Sequence, residues 1–187
     1  MKCFVKQLFL CIVFTVLSFS VNAQTVHRIG DTGPAGGVIF YDKGNSDDGW
    51  RFLEVAPANT EFTAEWGVMG RAVVGTSTGI GSGRQNTQIL VDALRVSNER
   101  GRAAQRVREL TINGFSDWFL PSIDELNLIY TNLGQNNAGG FRNNTSSYWS
   151  SSQNDNTSFS WAQRFRDGSR GSYIRNLTLP VRAVRAF

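Results

Sequence analysis

Asp117-Trp118-Phe119-Leu120-Pro121-Ser122-Ile123-Asp124-Glu125-Leu126 is the stretch on which the reading of this chain turns. Ser122 and Glu125 stand three apart ahead of an apolar run, the spacing of a capping box in which each side chain takes the other residue's backbone N–H. A helix therefore starts at Ile123. Ile123, Leu126, Ile129, Tyr130 and Leu133 continue it at helical spacing, and Gly134 is placed to end it. Asp124 and Glu125 fit the electrostatics of a helix start better than they fit a catalytic carboxylate pair.

Downstream, after an Asn/Gly-rich loop, turn chemistry separates four short runs at 148–152, 160–166, 172–177 and 181–187, each read as a strand. Asp167-Gly168 signals a hairpin and Pro180 a strand start. Alternation places Trp161, Gln163 and Phe165 on one side of the second run and Ala162, Arg164 and Arg166 on the other. The last run has no clean polar side, which suits a strand buried between neighbours.

Upstream, 99–110 is amphipathic, with Ala103, Val107 and Leu110 inward and Arg102 and Arg106 on a solvated face. Asn86 or Thr87 is placed to cap another helix through Ile89, Leu90, Ala93 and Leu94. The Gly-rich segment 75–83 reads as a flexible loop. It has no Gly-Lys-Ser/Thr, no G-x-G-x-x-G and no leading Val/Ile strand, so it does not read as a phosphate cradle. Residues 36–42 and 50–56 read as a hairpin around a polar turn at 43–49. Asp42, Asn45, Asp47 and Asp48 in that turn lack calcium-loop spacing, and turn residues of this kind have backbone reasons to be there.

At the N-terminus, Lys2 and Lys6 precede the apolar run 8–21, and Val21-Asn22-Ala23 supplies small residues for cleavage. Residues 1–23 are thus expected to be a cleaved export signal, and 24–187 a single domain. The run is short for a membrane span, and no later window approaches one. Leu8-Phe9-Leu10 ahead of Cys11 is not a lipoprotein pattern. Both cysteines, Cys3 and Cys11, would leave with the signal. The exported product then has no disulfide, and its stability must come from a packed core.

The chain of 187 residues carries a formal charge of +4. The charge is unevenly spread: residues 25–140 hold 10 basic and 13 acidic residues, whereas 141–187 hold 7 and 2. That basic tail reads either as a ligand-facing surface or as the complement of the acidic part of the same fold.

Six blocks run through the chain in order: Gly33-Pro34-Ala35-Gly36-Gly37-Val38-Ile39-Phe40-Tyr41-Asp42, Gly49-Trp50-Arg51-Phe52-Leu53-Glu54, Ile80-Gly81-Ser82-Gly83-Arg84-Gln85-Asn86-Thr87, Asp117-Trp118-Phe119-Leu120-Pro121, Tyr148-Trp149-Ser150-Ser151-Ser152 and Val181-Arg182-Ala183-Val184-Arg185-Ala186-Phe187. Together they resemble the Lcl C-terminal domain, the module that ends collagen-like bacterial surface adhesins and was long a domain of unknown function. No Gly-X-Y repeat occurs in the chain. The resemblance implies an α+β, C-type-lectin-like single domain of the branch shared with formylglycine-generating enzymes and retroelement-diversified receptors. Its two or three helices would pack on short antiparallel strands.

The resemblance also implies binding of sulfated glycosaminoglycans through a basic surface. Arginine forks suit sulfate and carboxylate, and aromatic faces suit sugars, so Trp161, Arg164, Arg166, Arg170, Tyr173 and Arg175 form the expected ligand surface. Arg182 and Arg185, within the family's ending, are read as structural. The expected function is an exported, non-enzymatic adhesion module for an extracellular glycan or surface protein. No metal, cofactor, nucleic acid or membrane span is expected. His27 is the only histidine, so no His cluster or Ser-His arrangement can be assembled within the chain. A paired-carboxylate glycan hydrolase would have to draw on Glu54, Glu61, Glu65, Asp117 and Asp155. A retroelement-diversified receptor is the other alternative, its variable surface lying within the polar residues 141–176.

Overall fold

A computed structural model describes residues 26–142 and 147–187. The export-signal segment and the Asn-x-Ser/Thr sites at Asn143 and Asn144 lie outside the described residues.

The elements in chain order are β1 (Val38–Asp42), β2 (Phe52–Val55), β3 (Phe62–Ala64), α1 (Gly83–Val96), α2 (Ala103–Arg108), α3 (Ile123–Ile129), β4 (Ser147–Gln153), β5 (Phe159–Arg164), β6 (Arg170–Ile174), β7 (Leu179–Val181) and β8 (Val184–Ala186). This is an α+β architecture with three antiparallel sheets, ordered β1-β2-β8, β3-β7 and β4-β5-β6. β1 and β2 form the expected hairpin, with a register irregularity between Ile39 and Tyr41. β8 pairs with the other edge of β2, so the two ends of the domain share one sheet. The Phe187 carbonyl accepts from the N–H groups of both Arg51 and Phe52, which fastens the C-terminus to the hairpin.

Two apolar clusters fill the interior. One gathers Trp66, Trp118 and Trp149 beneath Leu90 and Leu94 of α1 and Val107 of α2. The other gathers Phe40, Leu53, Phe119 and Tyr148 against the Ile123, Leu126 and Ile129 face of α3. The period read from the sequence selects that face correctly. The capping box forms as expected: the Glu125 N–H donates to Ser122 Oγ at 3.2 Å, and the Ser122 N–H donates to Glu125 Oε2 at 2.8 Å. Beyond Ile129 the helix loosens into a π-type turn over Tyr130–Gly134.

Several elements differ from expectation, β6 among them, which runs over Arg170–Ile174 rather than 172–177. α1 starts at Gly83, so Asn86 and Thr87 lie inside its first turns rather than capping it, and both are buried. α2 is shorter than expected, because the chain ahead of it turns through Gly101 at φ 69°. The expected last strand is two, β7 and β8, in different sheets. The break falls at Arg182 and Ala183, where the Arg182 guanidinium turns inward to the carbonyls of Ala56, Gly139 and Gly140. β3 has only three residues, too few to leave an alternation signal.

Candidate functional site

The register of the β5–β6 hairpin divides the expected ligand surface. Trp161 lies opposite Ser172 and Gln163 opposite Arg170, whereas Ser160 lies opposite Tyr173. Directly opposed residues share a face, so Trp161 and Arg170 sit on one side of the sheet and Arg164 and Tyr173 on the other. Tyr173 is half-buried against the Trp149 cluster, and its oxygen accepts from the Ser147 hydroxyl at 2.7 Å.

Arg175 does not belong to any ligand surface, because it is fully buried. Its Nε donates to Ser160 Oγ at 2.9 Å and Phe159 O at 3.1 Å, and its Nη1 donates to Val68 O and Arg71 O, both at 2.9 Å. The guanidinium carbon stands 4.2 Å from the Trp66 ring centroid. Burial lowers its pKa to about 10, which still leaves it charged at neutral pH. Arg164 is occupied within its own turn by Asp167 and Ser169. The Ser169 hydroxyl and amide, with Arg164, hold the Asp167 carboxyl down to about 2. Arg170 pairs with Asp124 at 2.9 Å. Arg166 is exposed and has no carboxylate partner among the described residues.

Other arginines of the basic tail are paired with carboxylates as well. Arg142 and Arg182 both meet Glu61, at 2.6 and 3.2 Å. Burial pushes the Tyr148 phenol up, and its hydroxyl donates to the same Glu61 carboxylate. Arg185 bridges Glu54 at 3.0 Å and Asp117. Of the two readings of the charge split, internal complementation is the one the contacts display. Four of the five carboxylates a hydrolase would draw on are held in ion pairs, Glu54 and Asp117 at Arg185, Glu61 at Arg182 and Glu65 at Arg102, whereas Asp155 is exposed and has no such partner among the described residues. In the 43–49 turn, Asp42 accepts from Arg51 and Gly44, Asp48 from Lys43, and Asn45 from the Asp47 N–H, so these oxygens serve the turn itself.

The Gly-rich segment 75–83, expected to be flexible, is pinned by a buried polar hub. Asn86 bonds both the N–H and the carbonyl of Ser77, at 2.8 and 2.7 Å, and reaches Ser151 Oγ. Ser152 Oγ donates to the same Ser77 carbonyl at 2.9 Å, and Ser122 Oγ donates to Gly79 O at 2.9 Å. The Gly81 N–H donates to Glu125 Oε1 at 2.8 Å. Thr87 Oγ1 accepts from the Leu120 N–H at 2.9 Å, which ties α1 to the Asp117–Pro121 stretch. Residues from three of the six blocks thus build one hub, and their polar character serves tertiary bonding rather than capping.

The hub places Gly81 against Trp50 at the wall of a cleft of about 510 Å³ lined by Asp48, Gly49, Trp50, Leu53, Gly81, Arg84, Asp117, Phe119 and Ala186. A second hollow of about 500 Å³, which shares no residue with the first, runs between α1 and α2 and is lined by Arg95, Arg100 and Arg108 together with Glu99 and Glu109. Glu99 is engaged by Arg102 at 2.8 Å. Arg100 and Arg108 are exposed and lack carboxylate partners among the described residues. Arg102 and Arg106 do not form the solvated face expected of them: Arg102 bridges Glu65 and Glu99, and Arg106 donates to Thr63 O at 2.6 Å over the Phe62 ring.

None of Trp50, Arg84, Arg100 and Arg108 figured among the expected contacts. Trp50 and Arg84 stood in quoted blocks, which was the available signal. Arg100, in the turn before α2, and Arg108, at its end, carried none, since an exposed arginine looks alike in sequence whether paired or free.

The fold and these two hollows define a small α+β domain with a polar cleft and an arginine-lined groove. Residues 58–185 match the Lcl C-terminal domain family, and the chain belongs to it. No curated protein matches the chain. Among the described residues, no helix is long and apolar enough to cross a membrane.

Proposed function

We propose that the chain is an exported, non-enzymatic binding module that recognises anionic glycans, with the α1–α2 groove rather than the C-terminal hairpin as the main contact surface. One observation carries the choice of surface: Arg100 and Arg108 share a hollow with Arg95 and have no carboxylate partner among the described residues. Most arginines of the hairpin and tail are neutralised internally. Guanidinium groups free of an internal partner offer bidentate donors to sulfate or carboxylate without first breaking an ion pair. Arg166 stands apart from the groove, exposed at the tip of the hairpin beside Tyr130 and Gln135. The joining of both ends of the domain in one sheet supports the C-type-lectin-like reading of the fold.

Retention on immobilised heparin at about 0.15 M salt tests the reading, because surface charge contacts of this kind survive only partial screening at that ionic strength. The protein is expected to be retained, and Arg100→Ala with Arg108→Ala is expected to elute at clearly lower salt. Passage of the parent protein without retention contradicts the anionic ligand. Unchanged retention of the double variant contradicts the groove.

A further inference from the structure

We infer that the cleft between Trp50 and Arg84 is a second, separate binding site, built for a neutral hexopyranose unit presenting two neighbouring hydroxyls. The lining is mostly polar, with Leu53, Phe119 and Ala186 behind it and Trp50 as the half-buried aromatic residue. At the rim stand a donor and an acceptor that meet only in a loose ion pair. Arg84 Nη2 lies 3.6 Å from Asp117 Oδ2, beyond hydrogen-bond length. Arg185 Nε takes the other carboxylate oxygen, Oδ1, and fixes the orientation of Asp117. Among the described residues, the Arg84 side chain makes no hydrogen bond and Asp117 Oδ2 accepts none. The Arg84 guanidinium rests 5.3 Å from the Phe119 ring centroid, which holds its plane at the cleft.

A vicinal diol satisfies both groups at once, one hydroxyl donating to Asp117 Oδ2 and the next accepting from Arg84, while a C–H face of the ring packs on Trp50. The opposed charges at the rim, Arg84 with Asp48 and Asp117, disfavour a polyanion here, so the ligand differs in class from that of the α1–α2 groove. The site is rigid rather than adaptive. Gly81 sits at φ 88° with its backbone against Trp50, where an added Cβ would lie 3.3 Å from Trp50 Cζ2, and its N–H is held by the buried Glu125. A cleft wall fixed in advance lowers the ordering cost of binding a small ligand.

Tryptophan indole signals in a ¹H–¹⁵N spectrum report on this directly. Trp66, Trp118 and Trp149 are buried, with their Nε1–H groups bonded to the carbonyls of Ser150, Phe115 and Ala64. Trp50 and Trp161 are the remaining two, and only Trp50 lines the cleft. Titration with a panel of methyl hexopyranosides, the α and β forms of the gluco, galacto and manno sugars, is expected to shift the Trp50 signal with at least one of them and leave Trp161 unmoved. Arg84→Met, a change at a half-exposed helix position, should weaken that binding about tenfold, the loss expected for a charged hydrogen bond. Arg100→Ala with Arg108→Ala should leave it unchanged. No shift of Trp50 with any member at tens of millimolar overturns the site, as does a shift that Arg84→Met does not weaken. Heparin retention is independent of this titration, so failure at one site is distinguishable from failure at the other.

Discussion

Arg175 and Arg166 belong to the same arginine-rich tail and meet opposite surroundings. Arg175 satisfies three backbone carbonyls and Ser160 from a fully buried position, whereas Arg166 is exposed. Truncating Arg175 to alanine leaves those carbonyls unpaired in the interior and should cost about 3 kcal/mol or more. Truncating Arg166 should change stability by less than about 0.5 kcal/mol. Urea denaturation of the two variants checks this, and similar midpoints would contradict the buried role. Residue type could not separate them in the sequence, since the partners of Arg175 at Val68, Arg71 and Phe159 are remote from it or contributed by backbone alone. Arg182 and Arg185 were legible as structural only through their place in the family's ending.

At the scale of elements, α3 was readable because a capping box and a helical apolar period are local signals. What lay beyond local reading is the second use of Glu125. Its Oε2 caps α3, while its Oε1 receives the N–H groups of Gly81 at 2.8 Å and Gly83 at 3.4 Å. Burial pushes its pKa up to about 7, against the pull of those N–H groups, which favour the anion. The folded protein therefore holds this proton more tightly than the unfolded chain, whose glutamate titrates near 4.5. Stability from this group is fully present below the unfolded value and is lost as pH rises towards 7, by up to about 3 kcal/mol. Urea midpoints should accordingly fall between pH 5 and pH 8, and Glu125→Gln should flatten that dependence. An equal fall in the variant would assign it to other groups.

The start of α1 gives a second element-scale test. An alanine Cβ at Gly83 would lie 2.9 Å from Leu120 O and closer still to Glu125 Oε2. Gly83→Ala should destabilise by about 1–3 kcal/mol through overpacking, measurable by the same denaturation. The glycine-rich segment looked flexible because glycine and serine in sequence do not reveal what their backbone groups bond. Here Asn86, Ser122, Ser152 and Glu125 supply the partners.

For the whole molecule, composition was legible and its meaning was not. The acidic 25–140 segment and the basic tail are both real in the sequence, but the fold closes them on each other through Glu61, Glu54, Asp117 and Asp124. Alternation sorted the side chains of β5 correctly, yet only the register with β6 could show that Tyr173 and Trp161 face opposite ways. The α+β class and the family followed from blocks spread along the chain, whereas the groove depends on which arginines remain unpaired after folding.

On the proposed reading, the tail arginines hold the fold together and leave anion recognition to the α1–α2 groove. Backbone ¹H–¹⁵N shift mapping with a heparin-derived tetrasaccharide tests it most directly. The shifts are expected to concentrate in residues 91–109, with β5 and β6 little changed. Shifts centred on residues 159–175 with the groove silent would contradict it.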